Sequence, residues 1–128
     1  MKASAWETAT IDIDRATEFT GDDVARFSSL VDLKNIYEFL TVIVPALDAS
    51  AVITPYVQMD GDVDTVPVAV HALDDDATGS FAHATSSGAG SLVVTFRIGG
   101  VQHVRLYAGA DQAADRTFYV RGFNRENL

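Results

Sequence analysis

The stretch that decides the reading is Leu92-Val93-Val94-Thr95-Phe96-Arg97-Ile98-Gly99-Gly100-Val101-Gln102-His103-Val104-Arg105-Leu106-Tyr107. Leu92, Val94, Phe96 and Ile98 occupy every second position, the period of a half-buried strand and not of a helix. Gly99-Gly100 then reads as a two-residue hairpin turn, because such turns need backbone angles that glycine adopts freely. Val104 and Leu106 return on a partner strand. Strand, tight turn, strand is the repeating unit of an antiparallel sheet.

The same rhythm extends in both directions. In residues 8–14, Ala9, Ile11 and Ile13 alternate with Thr10, Asp12 and Asp14, an amphipathic strand. Thr20-Gly21-Asp22-Asp23 ahead of Val24, Phe27 and Leu30 has the form of a capping box, which predicts a turn or two of helix. Residues 29–33 fit equally the start of a strand. Residues 36–44 are apolar except at Glu38 and Thr41, as in a central or interface-facing strand covered on both sides, and Pro45 ends them. Residues 52–59 contain Pro55, which lacks a ladder donor and belongs on an edge or at a bulge. Asp60-Gly61 closes that strand with a turn dipeptide. Val66, Val68 and Val70 form another one-sided strand before the acidic turn Asp74-Asp75-Asp76. A last strand over 117–123 points Phe118 and Val120 inward.

These segments amount to about eight or nine short strands with at most one or two short helical turns and no alternation of strand with helix. The expected fold is all-β: an antiparallel β-sandwich, jelly-roll-like, formed by a single domain over 1–128 with short terminal arms at about 1–6 and 124–128.

Composition narrows the function classes. The hydrophobic share of 48% against 21% charged excludes a disordered chain. Nine basic against eighteen acidic residues give a net charge of −9, which repels the phosphates that dominate nucleic-acid affinity. No apolar run approaches the roughly 20 residues needed to cross a bilayer, so no membrane partner is expected. The chain contains no cysteine, which removes disulfides, thiolate metal sites and cysteine nucleophiles.

No motif reaches the specificity of a catalytic or cofactor signature, so the expectation is no enzyme and no cofactor. His71, His83 and His103 share no metal-ligand spacing, and no metal is assigned. Asp60-Gly61-Asp62-Val63-Asp64 places carboxylates at alternate positions, as a calcium loop does. The match fails at Thr65, where the loop needs glycine, and at His71, where it needs a bidentate glutamate. Gly88-Ala89-Gly90 leads into a strand and so lacks the helix dipole of a phosphate loop. The carboxylates sit in predicted turns, where water keeps them near ordinary acidity, which disfavours a glycosidase. Tyr37, Tyr56, Tyr107 and Tyr119 could build a sugar platform, though packing or a protein interface explains tyrosines as well.

Charge is unevenly distributed. Residues 35–96 hold eight acidic and no basic groups, whereas residues 97–128 hold five basic and three acidic. Strand parity places Arg97, His103, Arg105, Tyr107, Tyr119 and Arg121 outward. If their strands share one sheet, they make an Arg/Tyr face of the kind enriched where proteins dock. Arg97, Arg105, Tyr107, Tyr119 and Arg121, with Trp6 in the N-terminal arm, are therefore the candidate interface residues. A solvated face with cross-strand and cation–π pairs is the competing reading.

Ser28-Ser29-Leu30-Val31-Asp32-Leu33, the apolar strand ending at Val44-Pro45, and residues 52–59 running into Asp60-Gly61 resemble small β-sandwich virion proteins of tailed bacteriophages. Val104-Arg105-Leu106-Tyr107, Gln112-Ala113-Ala114-Asp115-Arg116 and Phe118-Tyr119-Val120 are similar too, so that short motifs spread over 28–123 carry the likeness. The resemblance implies a jelly-roll-like, non-enzymatic accessory protein that decorates or cements the capsid exterior, made in the host cytoplasm. Its implied partners are the major capsid protein and its own copies, as a dimer or trimer. A head-fibre, turret or tail component with a carbohydrate- or receptor-binding role fits the same implied fold. The strand over 8–14 and the aspartate-rich stretch around Asp74 depart from that pattern.

Overall fold

The computed structural model describes residues 2–14, 24–59, 67–70, 83–84 and 92–125. The predicted capping box, the turn at Asp60-Gly61 with its calcium-like stretch, the aspartates at 74–76 and Gly88-Ala89-Gly90 lie outside the described residues. The chain is all-β and antiparallel. Its strands are β1 (Lys2–Ala3), β2 (Glu7–Ile11), β3 (Val31–Val44), β4 (Val52–Gln58), β5 (Val68–Ala69), β6 (His83–Ala84), β7 (Leu92–Ala108) and β8 (Arg116–Asn124). All join one sheet, in which β1 and β2 pair in succession along one side of β8, followed by β3, β7 and β4, with β5 and β6 along the outer side of β4. The architecture is compatible with a β-sandwich, but hydrogen bonds connect every strand into one sheet.

Two strands are much longer than the short elements expected. β3 runs 14 residues and β7 runs 17. Gly99-Gly100 does not reverse the chain. The two glycines have φ of 77° and 91° and lie inside β7, whose halves both pair with β3, from Val44↔Leu92 through to Val31↔Val104. A hairpin and a bulge both require glycine at positive φ, so local sequence cannot separate them. Pairing decides: between Asp32 and Tyr37 β3 carries extra residues, and between Tyr37 and Phe39 β7 does. These paired irregularities bend two strands that would otherwise be inconveniently long and flat.

The bulge in β3 is satisfied locally. The Lys34 N–H donates to Asp32 Oδ1 at 2.8 Å, the Glu38 N–H donates to Asn124 Oδ1 at 2.7 Å, and Asn124 Nδ2 donates to the Ile36 carbonyl at 3.3 Å. The irregularity also re-aims Tyr37 toward the core, where it is 7% exposed and lies against Gly122.

The core fills the inner face. Ala9 and Ile11 of β2, Leu40, Val42 and Val44 of β3, Ile53 of β4, Val94 and Phe96 of β7, and Phe118 and Val120 of β8 belong to one buried cluster. Each fully buried Leu, Ile or Phe contributes roughly 1.5–3 kcal/mol relative to exposure. The sheet curls around this cluster until its edge meets the approach to β3: the Ser29 N–H donates to the Thr10 carbonyl at 2.9 Å, and the Thr10 N–H donates to Ser29 Oγ at 3.1 Å.

Pro55 sits where its missing donor does least harm. Its carbonyl accepts from the Val70 N–H at 3.0 Å, so its nitrogen faces the outer side of β4, between the residues paired with β6 and those paired with β5. In the predicted strand containing Val66, Val68 and Val70, only Val68–Ala69 are strand among the described residues, and Val68 is exposed rather than part of the core. Among the described residues, that strand pairs with β4 through Val68 and Ala69, with the Val70 N–H adding the bond to Pro55.

The expected N-terminal arm is partly a strand. Lys2 and Ala3 pair with Asn124 and Phe123, and Ser4 continues the attachment. Its N–H donates to the Gly122 carbonyl at 2.8 Å, its Oγ accepts from the Gly122 N–H at 3.0 Å, and its carbonyl accepts from Arg121 Nε at 2.9 Å.

Candidate docking surface

The parity that buries Leu40, Val42, Phe118, Val120, Val94 and Phe96 turns their neighbours outward. Register aligns those neighbours in rows across β8, β3 and β7. Tyr119, Ile43 and Val93 form one row, Arg121, Thr41 and Thr95 the next, and Phe123, Phe39 and Arg97 the third. Among them Val93 is 65% exposed and Tyr119 47%, while Phe39, Thr41, Ile43, Arg121 and Phe123 are half-buried. This is an apolar and aromatic surface on the side of the sheet opposite the core.

Trp6 extends the middle row. It lies between β1 and β2, is 45% exposed, and its ring sits 5.5 Å from the Arg121 guanidinium carbon, within cation–π range. Phe39 and Phe123 stack with centroids 5.0 Å apart and planes 15° from parallel. Between Trp6 and Phe123 lies a shallow depression of about 270 Å³, lined by Ala3, Trp6, Thr41, Arg121 and Phe123.

One end of the surface is basic. Arg125 lies 5.4 Å from the Phe39 ring centre and 3.0 Å from Glu38 Oε1, and Arg97 approaches the same oxygen at 3.8 Å. With Arg121, the face carries three arginines against Glu38, a local excess of two positive charges in a chain of net charge −9. The other described arginines lie elsewhere: Arg26 donates to Asp111 at 2.8 Å, Arg116 donates to Asp48 at 3.1 Å, and Arg105 is buried.

The expected Arg/Tyr face is thus divided. Trp6, Arg97, Tyr119 and Arg121 share one outward surface. Arg105 does not belong to it. Fully buried, it donates through Nε to Gln58 Oε1 and through Nη1 to the Ser28 carbonyl at 2.8 Å. Its outward parity holds, but at this height the Gln58 side chain of β4 and the Ser28 carbonyl on the other flank of β7 meet its guanidinium and close that face to solvent. Tyr107 is also elsewhere, packed with Phe27 and Tyr56 at centroid separations of 4.7 and 5.3 Å. β3 separates β7 from β8, so outward residues of those two strands are not lateral neighbours. Of the four tyrosines only Tyr119 is exposed, and no tyrosine platform forms.

His103 stands 3.8 Å from Asp32 Oδ2. Asp32 Oδ1 also accepts from Gln102 Nε2 at 2.9 Å, and this bond with that from the Lys34 N–H holds the carboxyl below the usual range. Asp48 is likewise lowered, by the Ala113 N–H and by Arg116. Both are stabilised as anions, the opposite of the upward shift that a general acid needs. No group of three potential metal ligands occurs among the described residues.

Phe39, Ile43, Val93, Phe123 and Arg125 were not singled out from sequence. The available signal was that residues 36–44 are apolar on both faces, which marks a strand covered twice without saying by what. Comparisons with protein-family models, with curated proteins and with solved structures gave no match.

Proposed function

We propose that this chain is a non-enzymatic structural protein that docks onto other polypeptides through the outward face of β8, β3 and β7. The resemblance noted above makes the shell of a tailed phage the natural partner, with the protein decorating or cementing the major capsid protein. The observation that supports docking is the exposure of Trp6, Tyr119 and Val93 together on one ordered sheet face. Contiguous exposed apolar surface on a folded domain marks interaction sites, and Trp, Tyr and Arg dominate binding energy where they become buried. The edge strand β1 and the hydrogen bonds of Ser4 fix Trp6 in place, so little ordering entropy is lost on docking.

The test is co-sedimentation of the purified chain with shells assembled from the major capsid protein encoded with it. The expected result is saturable binding that Trp6→Ala with Tyr119→Ala weakens by about thirtyfold, equivalent to ~2 kcal/mol for loss of a hot spot. Absence of binding, or binding indifferent to both substitutions, refutes the proposal.

A further inference from the structure

Resting on that docking reading, we infer that the occupant of the face is a short acidic stretch of a partner polypeptide. Its carboxylates meet Arg97 and Arg125, and one apolar side chain enters the depression between Trp6 and Phe123. Charge complementarity carries the argument. Arg97 and Arg125 are both exposed and share a single carboxylate, Glu38, at 3.8 and 3.0 Å. One anion between two guanidinium groups leaves the pair under-neutralised, and a second carboxylate can complete the cluster with charge-assisted hydrogen bonds.

The geometry favours a segment over a long anionic polymer. Arg97 and Arg125 lie together at the Phe39 end of the Phe39–Phe123 stack, and the 270 Å³ depression lies at its Phe123 end beside Trp6. A chain of a few residues spans that distance at about 3.3 Å per residue. A nucleic acid or anionic bilayer would instead bring extended negative charge against a protein of net charge −9, a repulsion that a short acidic segment largely escapes through screening. A second copy of this chain would bring the same overall charge and the same repulsion.

Fluorescent decapeptides of equal apolar content, one glutamate-rich, one uncharged and one lysine-rich, are titrated against the full chain. The expected result is that the glutamate-rich peptide binds about tenfold more tightly than the uncharged one, weakens as salt rises, and loses that advantage on Arg97→Glu with Arg125→Glu. Thermal melts confirm that this variant folds, since both side chains are exposed. Failure of the glutamate-rich peptide to bind, or binding indifferent to charge reversal, overturns the acidic occupant. Shell docking that still depends on Trp6 and Tyr119 would then leave the docking reading standing. Sedimentation velocity supplies the remaining arm: self-association lost on Trp6→Ala with Tyr119→Ala identifies a second copy as the occupant and overturns the inference.

Discussion

Among the described glycines, Gly122 is the position where one methyl group should be felt most. A Cβ built there would lie 2.6 Å from Tyr37 Cδ2, 2.7 Å from Cγ and 3.0 Å from Cβ. These atoms form the root of a buried side chain, which the bulge in β3 has turned inward, so they cannot swing aside as a flexible tip would. Forcing a methyl into a packed core costs about 1–3 kcal/mol. Replacing glycine by alanine returns roughly 0.4–1 kcal/mol by restricting the unfolded chain. The net loss for Gly122→Ala is therefore ~1–2 kcal/mol, and Tm should fall by roughly 4–8 °C for a domain of this size. Urea unfolding should show a lower midpoint at unchanged slope. In the background of Tyr37→Ala the penalty should shrink, because the ring atoms at 2.6 and 2.7 Å are gone and only the Cβ contact at 3.0 Å remains, and the double-mutant cycle should report coupling of about 1 kcal/mol. Equal destabilisation by Gly122→Ala with and without the Tyr37 ring would refute the packing argument. Arg121 and Phe123 point outward on either side, so the variant should still dock.

Two further perturbations test local features. Lys34 lies within β3 at φ of 69°, a conformation that costs a side chain roughly 1 kcal/mol, so Lys34→Gly should raise the urea midpoint and Lys34→Val should lower it. The weak contact of Lys34 Nζ with Asp32 at 3.8 Å is exposed, and its loss should not reverse that order. Asp32 and Asp48 are depressed below the ordinary carboxylate value of 3.8. Their contribution to stability is present above that value and is lost as pH falls through the lower folded values. Thermal melts between pH 6 and pH 2 should decline more gently at the acid end for Asp32→Asn with Asp48→Asn than for the parent, and parallel curves would show that these carboxylates carry no such linkage.

Alternation of apolar and polar residues was enough to establish an all-β antiparallel chain and most of its core, since a period of two leaves one face to bury. Ala9, Ile11, Phe96, Leu106, Phe118 and Val120 are inward as that pattern dictates. Pro55 was readable as well, because a missing N–H constrains its side of the strand. Strand length, the bulge and the surface were decided by tertiary pairing. Gly99-Gly100 satisfies a hairpin and a bulge equally, and only the continuous partnership with β3 selects the bulge. Arg105 and Arg121 have the same outward parity, yet one lies beneath Ser28 and Gln58 while the other lies beside Trp6. A sequence period states which side of a strand a residue takes; what stands over that side comes from segments distant along the chain, and their arrival is a property of the folded sheet alone.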